Sequence, residues 1–453
     1  MMKERTNKVK EGWGSRAGFI MAAAGFSIGL GNIWRFSYVA GNNGGGAFLL
    51  IYVVLVVLIG LPLFLAEAGL GRKSQASAIT GLRKLTRKGS PWVSIGWLGN
   101  ITSILITSYY LMIMGWIMAY LFKIGSGSLN GVTSDQAAVV YDSLVSNPLA
   151  VIGFTLIPTL IIGLVVSRGV KNGIEKFVKT LMPILLIMMV VLAVFSLAQP
   201  GSMEGVLWYL KPDFSKVTAG TLLEALGQVF FSVGIGFAAA FTYGSYLKPD
   251  KSDLVKDGAW VIGLDTFIAF ISGLVIFPAL FAFNMAPDSG PGLLFMSFPA
   301  LFNQMPMGQL FGFVFFALIM IAALTTGVGL IEAIAHNTSE LLGIKRKVSS
   351  WVILGFIFLL SIPSILSQGP WSSVQLFGMD IFGLIDYVSG NILLTLGGLL
   401  LSLYVVFKWR FKNFLHDINI GTDNLRFPHF GKPVVNIVIP AVIFLILISS
   451  AMI

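Results

Sequence analysis

The 453-residue chain is 56% hydrophobic and 11% charged, with a mean hydropathy of +0.86, which leaves too little polar surface for a water-soluble globule and makes the bilayer its solvent. It has no cysteine, which excludes disulfides, thiolate metal sites and cysteine nucleophiles, and its three histidines, His336, His416 and His429, are too scattered for a metal cluster. A net charge of +10 raises the question of a nucleic-acid partner, but the basic residues sort by side of the membrane instead.

Runs of roughly 20 apolar residues, each long enough to cross a hydrocarbon core about 30 Å thick as a helix, recur along the chain without the alternation of barrel strands. In chain order the expected spans are 16–38, 45–71, 93–123, 148–166, 173–197, 222–246, 256–285, 308–342, 349–367, 382–408 and 433–452. The expected fold is therefore an all-α integral membrane protein of about eleven helices, read as one packed transporter domain over 1–453 without a sizeable soluble domain. The basic N-terminal stretch lacks a short apolar core with a small-residue cleavage site, so the first span is expected to stay in the mature protein.

With a cytoplasmic N-terminus, all but four of the 30 Lys and Arg fall on the cytoplasmic side; Lys123, Lys211 and Lys216 lie outside and Arg35 within the first span. An odd number of spans then places the C-terminus outside. The outer connections, Gly125 to Asn130, Pro200 to Pro212 and Pro287 to Pro306, are rich in turn formers and read as loops and lids.

Ionisable residues inside a span cost about 2.5–3.5 kcal/mol near the centre unless they face a partner or a wet cavity. The exceptions here are Arg35, Glu67, Glu224, Asp265 and Glu332, of which Glu224 suits a plain role near a helix start. The first span contains Gly25-Phe26-Ser27-Ile28-Gly29-Leu30-Gly31-Asn32, a poor helix: each glycine costs about 1 kcal/mol against alanine, and Asn competes for backbone hydrogen bonds. The sixth span repeats the design from Gln228 to Phe237. Tight glycine packing between helices is one reading of such segments. The other is a pair of broken helices leading two inverted five-helix groups, about 16–197 and 222–408, with an extra helix at 433–452 and a site at the bilayer midplane; that arrangement implies transport by alternating access.

The sequence resembles the neurotransmitter:sodium symporter family, and within it the bacterial branch that carries several hydrophobic amino acids. The likeness rests on Trp13, Gly29 to Phe36, Asn43-Gly44-Gly45-Gly46-Ala47-Phe48, Gly60-Leu61-Pro62 with Glu67 and Gly71-Arg72, Tyr109-Tyr110, Gly173-Ile174-Glu175-Lys176-Phe177 with Pro183, Gln228 to Phe237, and Leu324-Thr325-Thr326. It implies sodium-coupled import of aliphatic and aromatic L-amino acids through a bacterial inner membrane, with lipid, sodium and a small amino acid as partners and no obligate protein partner.

The resemblance further implies two sodium sites. The first would use Asn32, Ser232 and the Ser27 carbonyl with the substrate carboxylate. The second would use carbonyls of Gly25, Ile28 and Ala322 with the hydroxyls of Thr325 and Thr326, although such hydroxyls also bond back to their own helix. The substrate carboxylate would meet amides near Gly29, Leu30 and Gly31 and the Tyr110 hydroxyl, and its ammonium carbonyls including Phe231. Ile106, Phe231, Gly234, Gly236, Phe237, Thr326 and Leu330 would form the side-chain pocket. Tyr52, Gln228 and Ser232 match a chloride region in which Asp265 would supply a fixed charge or a sodium ligand, so that no chloride is required. An outer gate would pair Arg35 with Asp386, or else Asp380, under a lid of Tyr110 and Phe237. An inner latch would use Lys10, Trp13, Tyr246 and Glu340, and Gly173 with Pro183 would let the fifth helix unwind or merely kink.

Three readings from other classes stand beside this one. Glycine-broken helices also line channels, but two asymmetric breaks do not repeat around a pore axis. A membrane enzyme would need a nucleophile–base pair, metal spacing or phosphate loop, none of which is evident. A non-transporting sensor on the same fold is the third.

Overall fold

The apolar runs become helices because a bilayer offers the backbone no other hydrogen-bond partner. The computed structural model describes residues 11–250, 252–285, 294–422 and 425–451, and among these only helices and two isolated bridges occur, with no sheet. The membrane segments are α1 (Arg16–Ser27, then Gly31–Asn42 after a break), α2 (Gly46–Ser74), α3 (Pro91–Gly125), α4 (Pro148–Ser167), α5 (Val170–Leu197), α6 (Ala219–Val233, then Ala239–Ser245), α7 (Leu254–Ala282), α8 (Gly308–Leu342), α9 (Arg346–Ser367), α10 (Ile381–Trp409) and α11 (His429–Ile448). Among the described residues nine are uninterrupted, and the two halves of α1 meet at 54°. The eleven expected spans thus correspond to eleven segments.

The connections depart from the loops and lids expected of them. Pro200 to Pro212 contains a helix, Ser202–Leu210, whose Tyr209 is fully buried and donates its hydroxyl to the Phe270 carbonyl at 3.2 Å. The turn formers sit at its ends, and the interior Met203 to Leu210 is apolar enough to dock on α7. A second helix, Ser297–Gln304, occupies the described part of the 287–306 stretch. At its C-terminal end α2 runs three residues past its expected limit. Gln75 closes it in the left-handed conformation (φ 51°), and Arg72 donates to the Ser252, Asp417 and Ile420 carbonyls, tying two cytoplasmic connections to that helix.

The core is built around the two broken helices. The first half of α1 packs on α5, α7 and α8, its second half on α6 and α7, and the second half of α6 lies against α2 and α8. α3 bridges α8 and α4 on the far side. Outward faces carry exposed apolar side chains such as Val54, Val57, Ile187, Val191 and Leu359, as lipid contact demands.

Candidate functional site

The break in α1 follows from its sequence: after Ser27 the chain leaves helical geometry at Ile28 (φ −76°, ψ 86°), and the next helix begins at Gly31. The half-helix ends so produced leave carbonyls and amides without intrahelical partners at mid-depth. α6 breaks at Gly234 (φ +72°) and Gly236 (φ +87°), and its freed backbone is taken up from the side: Glu67 Oε2 accepts from Gly236 N at 3.1 Å and Ser103 Oγ donates to the Phe237 carbonyl at 2.7 Å. That gives the intramembrane Glu67 a concrete task.

Beside the α1 break, Asn32, Tyr52, Ser232 and Asp265 form a fully interior cluster. Asn32 Nδ2 donates to Asp265 Oδ1 (2.8 Å) and to its backbone carbonyl (3.0 Å), Ser232 Oγ donates to Asp265 Oδ2 (2.8 Å), and Tyr52 Oη donates to Ser232 Oγ (2.9 Å). The fourth residue of the expected chloride region, Gln228, turns instead to the Gly31 carbonyl at 2.8 Å. Asn32 Oδ1 is buried without a hydrogen-bond partner, an acceptor aimed at nothing in a dry interior. Ser27 lies across from it, its hydroxyl donating to the Val233 carbonyl at 3.2 Å. No group of three His, Cys, Asp or Glu that could hold a metal occurs among the described residues, so this oxygen set with its single carboxylate matches a monovalent hard cation in charge and chemistry.

Where α8 crosses α1, Thr326 Oγ1 donates to the Phe26 carbonyl at 2.9 Å and lies 3.5 Å from that of Gly25. Thr325 Oγ1 bonds back within its own helix to Ala322 O (2.9 Å), next to Gly25. Gly25, Ala322, Thr325 and Thr326 are thereby gathered, with Ile28 buried one turn on and its amide bonded to Ala24 O at 2.7 Å.

Between these two oxygen clusters lies the start of the second half of α1. A methyl group on Gly29 would stand 2.5 Å from Thr326 Oγ1 and 3.2 Å from Tyr110 Oη, and one on Gly31 would stand 2.7 Å from the Phe231 ring, so side chains of α3, α6 and α8 close directly on this backbone. The Tyr110 hydroxyl is buried beside Thr326 and the Leu30 backbone. Ile106 and Leu330 are buried on the same two flanking helices, α3 and α8. Gly236 does not join them: a methyl there would meet the Leu394 carbonyl of α10 at 2.9 Å, so it faces that helix rather than the α1 break.

Above the site an outer cavity of about 810 Å³ descends to Leu30, Tyr110 and Phe231. Phe231, and not Phe237, is the aromatic that shares its floor with Tyr110. Phe237 packs edge-on against Phe26, with ring centroids 5.8 Å apart, because the non-helical turn through Gly234 and Gly236 breaks the helical register between the two phenylalanines. Arg35 and Asp386 both line the cavity without pairing. Arg35 lies over the Phe231 ring at 4.9 Å and reaches the Gly227 carbonyl at 3.4 Å. Asp380 caps the start of α10 through Gly383 N and bonds Gln368, so it is committed elsewhere. Glu224 also faces the cavity, accepting from Asn43 Nδ2 at 2.6 Å.

The inner side is closed. Trp13 donates its indole N–H to the Tyr243 carbonyl at 3.0 Å and packs edge-on against Phe19, Tyr243 and Tyr246. Tyr246 bonds Glu332 (2.5 Å) rather than Glu340, and Glu332 in turn receives Arg346. Glu340 is turned to the Ser77 amide (2.9 Å) and His336 (3.4 Å), where it caps the cytoplasmic helix Ala78–Leu85. Glu332 was legible as a costly intramembrane charge; its partner Arg346 lies at the start of α9 among ordinary cytoplasmic basic residues and carried no signal. Lys10 lies outside the described residues. α5 is continuous through Pro183, with a π-helical start at Val170–Glu175. Gly173 is needed there, since a methyl would stand 2.1 Å from the Val165 carbonyl. The site is thus open through the cavity at one end of the bundle and closed by the Trp13–Tyr246–Glu332 layer at the other.

Comparison with known proteins follows this geometry. The model of the Sodium:neurotransmitter symporter family matches residues 10–138 and 143–453. The chain is 39% identical over 411 residues to the uncharacterized sodium-dependent transporter YhdH of Bacillus subtilis (strain 168), covering 91% of each chain. It is 36% identical over 456 residues to an uncharacterized sodium-dependent transporter of Haemophilus influenzae, covering 98% of this chain and 99% of that one. Among solved structures, that of MhsT in complex with L-phenylalanine superposes with a TM-score of 0.88 at 37% identity, over 97% of this chain and 99% of MhsT.

Proposed function

The chain belongs to the sodium:neurotransmitter symporter family and is a sodium-dependent multi-pass membrane transporter rather than an enzyme, and from that premise we propose that it imports hydrophobic L-amino acids, aliphatic and aromatic, by alternating access, with two sodium ions per cycle and no chloride requirement. The observation that carries the proposal is the orphaned Asn32 Oδ1 beside the α1 break, on the same amide whose Nδ2 donates to the Asp265 carboxylate. A sodium ion there completes the acceptor that the fold leaves bare and balances the one buried charge. The substrate carboxylate then lies between that ion, the first-turn amides around Gly29 to Gly31 and the buried Tyr110 hydroxyl. The hydrophobic class draws support from the apolar surroundings, Ile106, Phe231 and Leu330, and from the phenylalanine bound to MhsT.

A second sodium ion sits where α1 meets Thr325 and Thr326. Asp265 supplies the fixed negative charge that a chloride would otherwise bring. In the cycle, substrate and sodium enter through the outer cavity, Arg35 leaves Phe231 for Asp386 as that cavity closes, and the Trp13–Tyr246–Glu332 layer then parts. Helices α1 to α5 and α6 to α10 act as the two inverted repeats, α11 standing outside them, in an inner membrane with the N-terminus cytoplasmic and the C-terminus outside.

The test is uptake of labelled leucine and phenylalanine into proteoliposomes under an inward sodium gradient, for wild type and Asn32→Ala. Sodium-driven accumulation that the substitution abolishes and that gluconate in place of chloride leaves unchanged is the expected result. Accumulation of charged amino acids only would overturn the substrate class.

A further inference from the structure

Two carboxylates on the cytoplasmic side, Glu11 and Glu175, tie the starts of α1 and α5 to each other: Glu11 caps α5 directly, and Glu175 holds the residue that caps α1. Glu11, on the strap that precedes α1, accepts from the Val170 amide at 2.8 Å and so caps the first turn of α5. The position before that turn, Gly169 (φ +91°), has no side chain to offer, and the Glu11 carboxylate fills the space a methyl there would enter, 3.2 Å away. Glu175, the last residue of that π-helical turn, reaches back to the strap: Oε2 accepts from Gly14 N at 2.6 Å and Oε1 from Ser15 Oγ at 2.8 Å. Ser15 is itself the N-cap of α1, accepting from Gly18 N at 3.0 Å. Lys179 neutralises Glu175 (2.6 Å), and Arg346 receives both oxygens of Glu11 at 3.1 Å.

The fit is close. A methyl on Gly18 would stand 2.3 Å from Glu175 Cδ, so the carboxyl group rests on the bare backbone of α1. The cap of α5 is therefore supplied by the strap, the Ser15 cap of α1 is held in place by α5, and both contacts are lost if the strap swings away.

We infer that Glu11 and Glu175 are positioning residues that make release of the N-terminal strap and loosening of the start of α5 a single event at the inner gate. Withdrawing the strap strips the Val170 amide of its acceptor and leaves the π turn with only its own weaker bonds; loosening that turn moves Glu175 and uncaps α1. The inference concerns the opening equilibrium and does not depend on which substrate is carried.

Hydrogen–deuterium exchange on the full chain in lipid nanodiscs tests it without substrate, with and without sodium. Glu11→Gln and Glu175→Gln should each accelerate exchange about tenfold in both segments, 11–20 and 169–182, because each removes a charge-assisted hydrogen bond whose loss is shared. Gly18→Ala keeps both carboxylates but displaces Glu175 sterically, and should loosen 169–182 although it lies on the other helix. Residues 106–120 of α3 should stay protected in all three, which separates release of the clasp from loss of fold. A variant that accelerates exchange only in the segment it caps, or Gly18→Ala leaving 169–182 at the wild-type rate, would overturn the coupling.

Discussion

Asn32 and Asp265 are joined twice, the Asn32 amide nitrogen donating to both the side-chain oxygen (2.8 Å) and the backbone carbonyl (3.0 Å) of Asp265. The double contact fixes the amide so that its oxygen must point away from Asp265, toward the α1 break, where it finds no partner in the protein. If Asn32 ligates sodium as proposed, that ligand is oriented by its neighbour in advance, which is the geometry that lets an ion bind without first reorganising the site.

Replacing the carboxylate tests that arrangement. Asp265→Asn keeps the size of the side chain but removes the only acidic charge of the cluster, and sodium-driven uptake should fall at least about tenfold in chloride-free medium. Partial recovery on adding chloride would identify the lost element as fixed negative charge; no recovery at any chloride concentration would identify direct ligation. Uptake in paired chloride and gluconate buffers reads the difference.

The approach of Thr326 and Tyr110 to the α1 backbone predicts a steric effect without loss of fold. Gly29→Ala places a methyl 2.5 Å from Thr326 Oγ1 and 3.2 Å from Tyr110 Oη, where the proposed function puts substrate and ions together. Uptake should drop by about tenfold or more while the thermal midpoint moves little, since the threonine can turn aside at a cost of about 1 kcal/mol. Fluorescence-detected thermal unfolding beside uptake is the check; a large fall in midpoint with unchanged uptake per folded molecule would contradict it.

Much of this was legible in the sequence because membrane burial makes the relevant residues conspicuous. Glu67, Asp265 and Glu332 stood out as charges inside apolar runs, and each now has named partners. The two breaks were visible as glycine clusters at Gly29–Gly31 and Gly234–Gly236. Side-chain direction was not. Phe231 and Phe237 differ by six residues of one segment, and the left-handed positions of the break, Gly234 and Gly236, decide that the first faces the cavity and the second the aromatic layer with Phe26. Likewise Glu332 and Glu340 stand two helical turns apart on α8, and which one meets Tyr246 depends on the rotation of α6, which no local pattern encodes. The connecting helices were hidden because their turn formers, at Pro200, Gly201 and Pro212, dominate so short a stretch.

The inner layer predicts a gating phenotype. Tyr246→Phe removes one charge-assisted hydrogen bond to Glu332, worth about 1.5–3 kcal/mol, and leaves the packing against Trp13 intact. A single cysteine placed at the buried Ser245, convenient in a chain with none of its own, should then react with a cytoplasmic thiol reagent about tenfold faster than in the wild-type background. Equal rates would show that the aromatic packing alone holds the layer shut.

The outer cavity carries the last prediction. Arg35 is held over Phe231 at 4.9 Å while Asp386, beside Tyr109, lines the same cavity without an ion pair to it, so the proposed closure would exchange a cation–π contact for an ion pair. Arg35→Ala and Asp386→Ala should each reduce uptake at least about tenfold, and the charge-reversed double variant Arg35→Asp/Asp386→Arg should recover part of it, because opposite charges can still meet when the cavity closes. The single reversals should be the worst of the series, each setting two like charges face to face across a narrowing, poorly hydrated space. Sodium binding from the outside, which precedes closure, should survive in all of them. Uptake rate and equilibrium sodium binding measured on the same preparations therefore separate a gate from a ligand: loss of both together would mean that Arg35 holds the site rather than closing it.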